Sequence, residues 1–346
     1  MQGILAILIV MISLNGIKPF TVRSGSNSEN STIIYDFNWL ADAASIGKIP
    51  KHKTIYHFVN AIVDILPYNF TDPFEKCNEI QFKGGSITSI HINPKLDYIY
   101  LYNTYTVNVI IKPDMFYKLS DFRCLKTKLA QIPENVNRLK HLKILYLGYN
   151  LIETVQMDQL NGLENLEELY LSSNKIKHIY SDGPVSLPSL NKIHLDNNRL
   201  QHFNVCNWDM PLLSYLYLHS NNLTHFAINQ FRALRVLLIH ENPVNCAWKD
   251  SIRNTSKQLS RYTSCDEKSV GDFVLDCPPT NYQLKQQISS VDTKLSQIEG
   301  KMQKIEDLLQ NLTAKIIEQQ NVSNDIIEAM YRIEIERASK KTKEIP

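Results

Sequence analysis

An α/β solenoid of stacked repeats, closed by a cysteine-bearing C-terminal cap and followed by a long α-helical coiled coil, is the architecture this sequence predicts. Three observations predict it. A hydrophobic frame returns every 21 to 24 residues through the middle of the chain, three cysteines follow the last copy, and an apolar stripe spaced by three and four residues runs from Ile288 to Ile333.

The frame L-x-x-L-x-L-x-x-N-x-L is set by Leu142, Leu145, Leu147, Asn150 and Ile152. It returns at Leu166, Leu190, Leu213 and Leu234, each time with an Asn at the ninth position: Asn174, Asn198, Asn221 and Asn242. This is the leucine-rich-repeat pattern. Degenerate copies begin at Leu119 and Leu96, and a third at Cys77 with Ile80, Phe82 and Ile87. Alternate residues of each short strand point inward, so one coil cannot bury its apolar face alone and stacking is obligatory. The Asn amide carries donor and acceptor together and suits the place where the backbone turns away from the strand. Thr127 and Thr104 stand there in the early copies and can do only part of that work.

In a horseshoe of such coils, the residues between the strand leucines face the concave side. Successive coils present Tyr100, Arg123, Tyr146, Tyr170, His194, Tyr217 and Leu238 there, flanked by Tyr98, Tyr102, Tyr149, Tyr215, His219 and His240. An aromatic stripe held out by its own repeat frame suits protein binding, because Tyr brings large contact area at small entropic cost. His219 and His240 hold the same position on adjacent coils, but no acidic or cysteine ligand accompanies them at a metal-site spacing, so solvated histidines are expected and no metal or cofactor.

After the last coil, Asn242-Pro243-Val244-Asn245-Cys246-Ala247-Trp248 leads to Cys265 and Cys277. A solenoid end exposes an apolar face, and secreted proteins close it with a disulfide-pinned cap. Cys206, Cys246, Cys265 and Cys277 are the disulfide candidates; three cap cysteines cannot all pair among themselves, so one is free, bonds a repeat cysteine or links a second chain. Cys124 holds an inward position and reads as a buried thiol.

The C-terminal stripe comprises Ile288, Val291, Leu295, Ile298, Met302, Ile305, Leu309, Leu312 and Ile316, then Ile326, Met330 and Ile333, with Gln319 and Ser323 interrupting the seam. A helix of roughly fifty residues would extend about 75 Å, beyond the width of a solenoid, so its apolar seam needs another helix. The e and g positions show no simple complementary code, and pairing with itself or with another chain is left open.

Ile4 to Leu14 form an apolar run of signal-peptide length, too short to span a bilayer. Sequons at Asn30, Asn69, Asn222, Asn254, Asn311 and Asn321, and six cysteines with no C-x-x-C pair, also point to secretion. No later segment is long and apolar enough for a membrane span, and a net charge of +2 from 37 basic and 35 acidic residues gives no field for nucleic acid. No nucleophile elbow, phosphate loop or H-E-x-x-H occurs in a credible context, so an enzyme is not expected.

The order of signal peptide, repeats, cysteine-bearing cap and coiled coil resembles the leucine-rich immune molecules of mosquitoes, most closely at the cap from Asn242 through Cys246 and Cys265 to Cys277. The resemblance implies a secreted hemolymph glycoprotein of innate immunity that binds complement-like thioester proteins or other leucine-rich immune proteins. The family commonly has a double cysteine near the end of its cap, whereas here Pro278 and Pro279 follow Cys277. An extracellular adhesion or matrix protein is the alternative. The expected organisation is a signal peptide at 1–17, an unassigned segment or N-terminal cap at 18–76, repeats at 77–245, the cap at 246–280 and the coiled coil at 281–340.

Overall fold

The computed structural model describes residues 19–25, 29–253, 258–259, 265, 294–316, 318–319, 330 and 332. The chain divides into two compact units, Met1–Cys277 and Pro278–Pro346.

The first unit is built on a 13-stranded sheet. Strand β1 (Thr21–Ser24) lies antiparallel on β2 (Ser31–Tyr35), and every later pairing in the sheet is parallel. The sheet continues through β3 (Ile55–Leu66), β4 (Glu79–His91) with its side partner β6 (Asn108–Ile110), β5 (Tyr98–Tyr102) and β7 (Asp121–Leu125). It ends with β8 (Ile144–Tyr146), β10 (Glu168–Tyr170), β13 (Lys192–His194), β15 (Tyr215–Tyr217), β16 (Val236–Leu238) and β17 (Gln258–Leu259). Each coil therefore lays its strand beside the same strand of the next coil, as the repeat frame requires.

The inward leucines fill the core. Leu145, Leu147, Leu169, Leu171, Ile193, Leu216, Leu218, Leu237 and Ile239 are completely buried. The Asn at position nine does what its two-sided amide allows. Asn174 donates to the carbonyls of Leu147 (2.9 Å) and Leu171 (3.0 Å) and accepts from the amide of Ile152 (3.1 Å). Asn150, Asn198, Asn221 and Asn242 repeat this bridge from coil to coil.

The residue just before each such position bends the chain off the sheet in the left-handed region. Lys126, Tyr149, Ser173, Asn197, Ser220 and Glu241 all have φ between 51° and 59°. The same turn recurs at Asp36, Asn60, Gly84 and Asn103. The parallel stack thus reaches into segment 18–76, for which the sequence offered no assignment. Its interior there is aromatic: Phe37, Phe58 and Phe82 are completely buried, with Phe58 stacked on Phe82 at 5.0 Å. Gly85 is required at the corner of β4, because a Cβ would stand 2.2 Å from the carbonyl oxygen of Ala61.

The coils themselves correct the α/β expectation. Among the described residues of 77–245 there is no α-helix. The return legs are three-ten turns at Val136–Arg138, Met157–Leu160 and Ile228–Gln230, with small parallel pairs β9 (Thr154–Gln156) with β11 (His178–Tyr180) and β12 (Val185–Ser186) with β14 (Trp208–Asp209). A coil of this period leaves too few residues for a full helix plus two connections.

The C-terminal end is closed by the helix Cys246–Arg253. The Oδ1 of Asn245 accepts the amide of Trp248 at 2.9 Å, an N-cap in the usual sense. Trp248 is completely buried and donates its indole N–H to the carbonyl of Phe226 at 2.9 Å. Cys246 and Cys265 form a disulfide, and Cys206 is disulfide-bonded as well. Cys124 and Cys77 are buried free thiols, and burial pushes each up to about 12, so neither is a nucleophile at neutral pH. Cys277 lies outside the described residues.

In the second unit, residues 294–316 are helical. The predicted seam residues within it, Leu295, Ile298, Met302, Ile305, Leu309, Leu312 and Ile316, are all more than half exposed. Met330 is helical and exposed; Ile288, Val291, Ile326 and Ile333 lie outside the described residues. No helix among the described residues is long and apolar enough to cross a membrane.

Candidate protein-binding face

Strand pleating puts every second side chain on the outer face of the sheet, and the parallel register lines these side chains up across coils. Tyr146 pairs with Tyr170, Tyr170 with His194, His194 with Tyr217 and Tyr217 with Leu238. The rings stack into a ladder: Tyr146 on Tyr170 at 4.5 Å, Tyr170 on His194 at 4.4 Å and His194 on Tyr217 at 4.0 Å. These spacings follow from the inter-strand distance, which is also the stacking distance of aromatic rings. All seven predicted face residues, Tyr100, Arg123, Tyr146, Tyr170, His194, Tyr217 and Leu238, lie on this one sheet face and are partly exposed.

A second aromatic group precedes the ladder. Tyr98, Tyr100 and Tyr102 follow one another on β5 at ring separations of 6.4 and 6.0 Å. Arg123 lies over Tyr98, and Lys126 over both Tyr102 and Tyr149. Such cation–π contacts at exposed sites add about 0.5–1 kcal/mol each.

Charged residues that the sequence did not single out flank the aromatic column. Asp121 accepts two bonds from the Arg123 guanidinium, at 2.9 and 2.8 Å. Lys192 bridges to Glu168 at 2.8 Å, and Tyr170 donates its hydroxyl to the same carboxylate. Asp196 accepts from Ser172 at 2.8 Å and from Asn197 at 3.0 Å, and lies 3.5 Å from His194 and 3.7 Å from His219. All of these occupy the outward positions of the same frame, which was the signal available to find them.

Burial shapes the ionisation of this face. It pushes the hydroxyls of Tyr98 and Tyr170 up to about 12, with the Glu168 carboxylate adding to the effect at Tyr170. Burial alone would raise Asp196, but bonds from His194, Ser172 and Asn197 and the nearby His219 outweigh it and hold the carboxyl at about 2. His219 is lowered, chiefly by burial. The face thus presents tyrosine O–H donors and ionised carboxylates throughout the neutral range. His219 stacks on His240 at 4.5 Å, and no group of three or more His, Cys, Asp or Glu among the described residues could hold a metal ion.

The sequon residues Asn30, Asn69, Asn222 and Asn311 are exposed, while Asn254 and Asn321 lie outside the described residues.

A stacked parallel sheet with a bridging Asn ladder and an ordered aromatic face defines a leucine-rich-repeat solenoid, and residues 140–200 match the family described as leucine rich repeat. No curated protein sequence matches the chain. The LRIM1/APL1C complex is similar in fold at a TM-score of 0.50 and 14% identity, covering 78% of this chain and 55% of that one. This chain therefore spans about half the length of that structure's chain. The octameric complex of Latrophilin 3, Unc5D and FLRT2 is similar at a TM-score of 0.50 and 15% identity, covering 71% of this chain and 90% of that one. At these identities the likeness is one of fold.

Proposed function

We propose that the chain is a secreted innate-immune protein of the hemolymph that binds partner proteins through the aromatic face of its repeats. The observation that carries the proposal is the ring ladder from Tyr146 to Tyr217, continued toward the N-terminus by Arg123 and Tyr100, on a face whose backbone is already fixed by the sheet. Prearranged aromatic edges with interleaved Arg, Lys, Asp and Glu supply contact area and directional bonds at little ordering cost. The disulfide in the cap suits an extracellular setting. Two fold relatives, the LRIM1/APL1C complex and the FLRT2 assembly, are themselves complexes of proteins, which supports a binding role. The sequence resemblance favours a complement-like thioester protein as the partner.

The test is binding of the purified, secreted chain to a purified complement-like thioester protein by interferometry. Replacing Tyr146 and Tyr170 together by Ala is expected to weaken binding by about tenfold or more. Replacing Tyr105 and Tyr180, exposed but outside the face column, is expected to leave it unchanged. Equal loss in both variants would remove the face from the proposal, and no binding by the parent chain would remove the partner.

A further inference from the structure

The helix of residues 294–316 leaves its whole apolar seam exposed. With Leu295 at the a position, the seam alternates Leu295, Met302, Leu309 and Ile316 at a with Ile298, Ile305 and Leu312 at d. The same frame puts Lys294, Lys301, Leu308 and Lys315 at g and Glu299, Glu306 and Thr313 at e. One sign of charge thus lines each side of the seam over the first heptads. That segregation distinguishes between arrangements.

In a parallel, in-register assembly, each g residue meets the e residue five positions further on in the neighbouring helix. Lys294 then faces Glu299 of a second copy, and Lys301 faces Glu306, so the charged contacts are attractive. In an antiparallel self-pairing, g meets g and e meets e, which sets Lys against Lys and Glu against Glu. Like charges so placed oppose association. Leu308, 61% exposed at a g position, and Thr313 at the matching e position extend the apolar face and add no charge conflict.

We propose that this helix assembles with the same helix of further copies of this chain, parallel and in register, and that the Lys294–Glu299 and Lys301–Glu306 contacts between copies set that orientation. The proposal takes the stripe to be a pairing element and is independent of the repeat face, whose binding is measured separately. Gly300 sits at the outward f position, where an added Cβ would meet nothing within 4 Å, so no seam contact depends on it.

The experiment uses the full secreted chain in sedimentation equilibrium at low salt, with two variants. Lys294→Glu with Lys301→Glu places Glu against Glu in the parallel arrangement and is expected to weaken self-association by about tenfold or more. Adding Glu299→Lys and Glu306→Lys restores opposite pairs between identical chains, so association is expected to return. The fourfold variant is also expected to sort away from the parent chain when the two are mixed, since Lys then meets Lys. A monomeric parent chain overturns the proposal, as does a double variant that associates as tightly as the parent, because antiparallel self-pairing sets like charges together both before and after that change. Unchanged near-ultraviolet circular dichroism in both variants confirms that the solenoid is intact. Loss of thioester-protein binding with self-association intact would count against the face alone.

Discussion

His194 and Tyr217 stack nearly face to face across adjacent coils, with ring centroids 4.0 Å apart and planes 10° from parallel. His194 also stacks on Tyr170 from the other side, so one small ring joins two tyrosines into a continuous surface. Aromatic pairs add about 0.5–1.5 kcal/mol beyond the area they bury. His194→Ala is expected to destabilise the repeats by about 1–2 kcal/mol in urea unfolding. His194→Phe, which preserves the ladder, is expected to recover most of that loss. Equal losses in the two variants would show that the imidazole acts through Asp196 and not through stacking.

Asp196 makes stability depend on acid. Its carboxyl is held at about 2 in the folded chain against an ordinary 3.8. A depressed folded value contributes stability that is complete above the ordinary value and is lost as the pH falls from about 4 toward 2. The lowered His219 acts in the same sense at higher pH, because the folded state resists its protonation as the pH falls below 6.5. Asp196→Asn is therefore expected to lower the urea midpoint at pH 7 and to flatten its fall below pH 4. A variant that keeps the parent's acid profile would place the acid sensitivity elsewhere.

The Asn ladder separates a buried hydrogen bond from an exposed one. Asn174 bonds two carbonyls and one amide in the interior, and removing it leaves the Ile152 amide without its bond, while the Leu147 and Leu171 carbonyls keep the bonds from Asn150 and Asn198. An unsatisfied buried group costs about 1–3 kcal/mol, so Asn174→Ala is expected to cost about 1–3 kcal/mol. Asn165 makes a bond of similar length to the carbonyl of Lys140, 2.9 Å, but in solvent. Water replaces that bond, and Asn165→Ala is expected to cost under about 1 kcal/mol. Urea midpoints of the two variants give the comparison directly.

The Leu and Asn frame made the coils from Leu142 onward legible, because both residue types act through the same geometry in every copy. The N-terminal coils were hidden by a change of residues at constant geometry. Phe37, Phe58 and Phe82 fill the interior where Leu would be diagnostic, and Asp36, Asn60 and Gly84 make the turn that the sequence pattern does not encode. The aromatic column was readable from the strand period. Its charged neighbours Glu168, Lys192 and Asp196 share the outward positions of that period, but their pairing was not readable, since it depends on a cross-strand partner some 24 residues away. The e and g positions looked uncoded because the segregation of Lys and Glu holds only over the first heptads of the helix, where Leu308 and Thr313 then interrupt it.

The cap offers a chemical test of the chain's covalent state. Cys246 and Cys265 are bonded across 19 residues, Cys206 is bonded, and Cys77 and Cys124 are buried thiols. Neither Cys77 nor Cys124 is expected to react with Ellman's reagent in the folded chain, and unfolding without reductant is expected to expose both. Cys246→Ser with Cys265→Ser opens a loop whose closure is worth about 3 kcal/mol, and the loss should fall first on the coil that Trp248 covers. In a background with Trp39 and Trp208 both replaced by Phe, Trp248 is the reporter: its fluorescence is expected to shift to the red at a lower urea concentration than the loss of sheet circular dichroism in the disulfide variant, and together with it when the disulfide is present. Coincident transitions in the variant would mean that Trp248 and Phe226 close the solenoid without help from the disulfide.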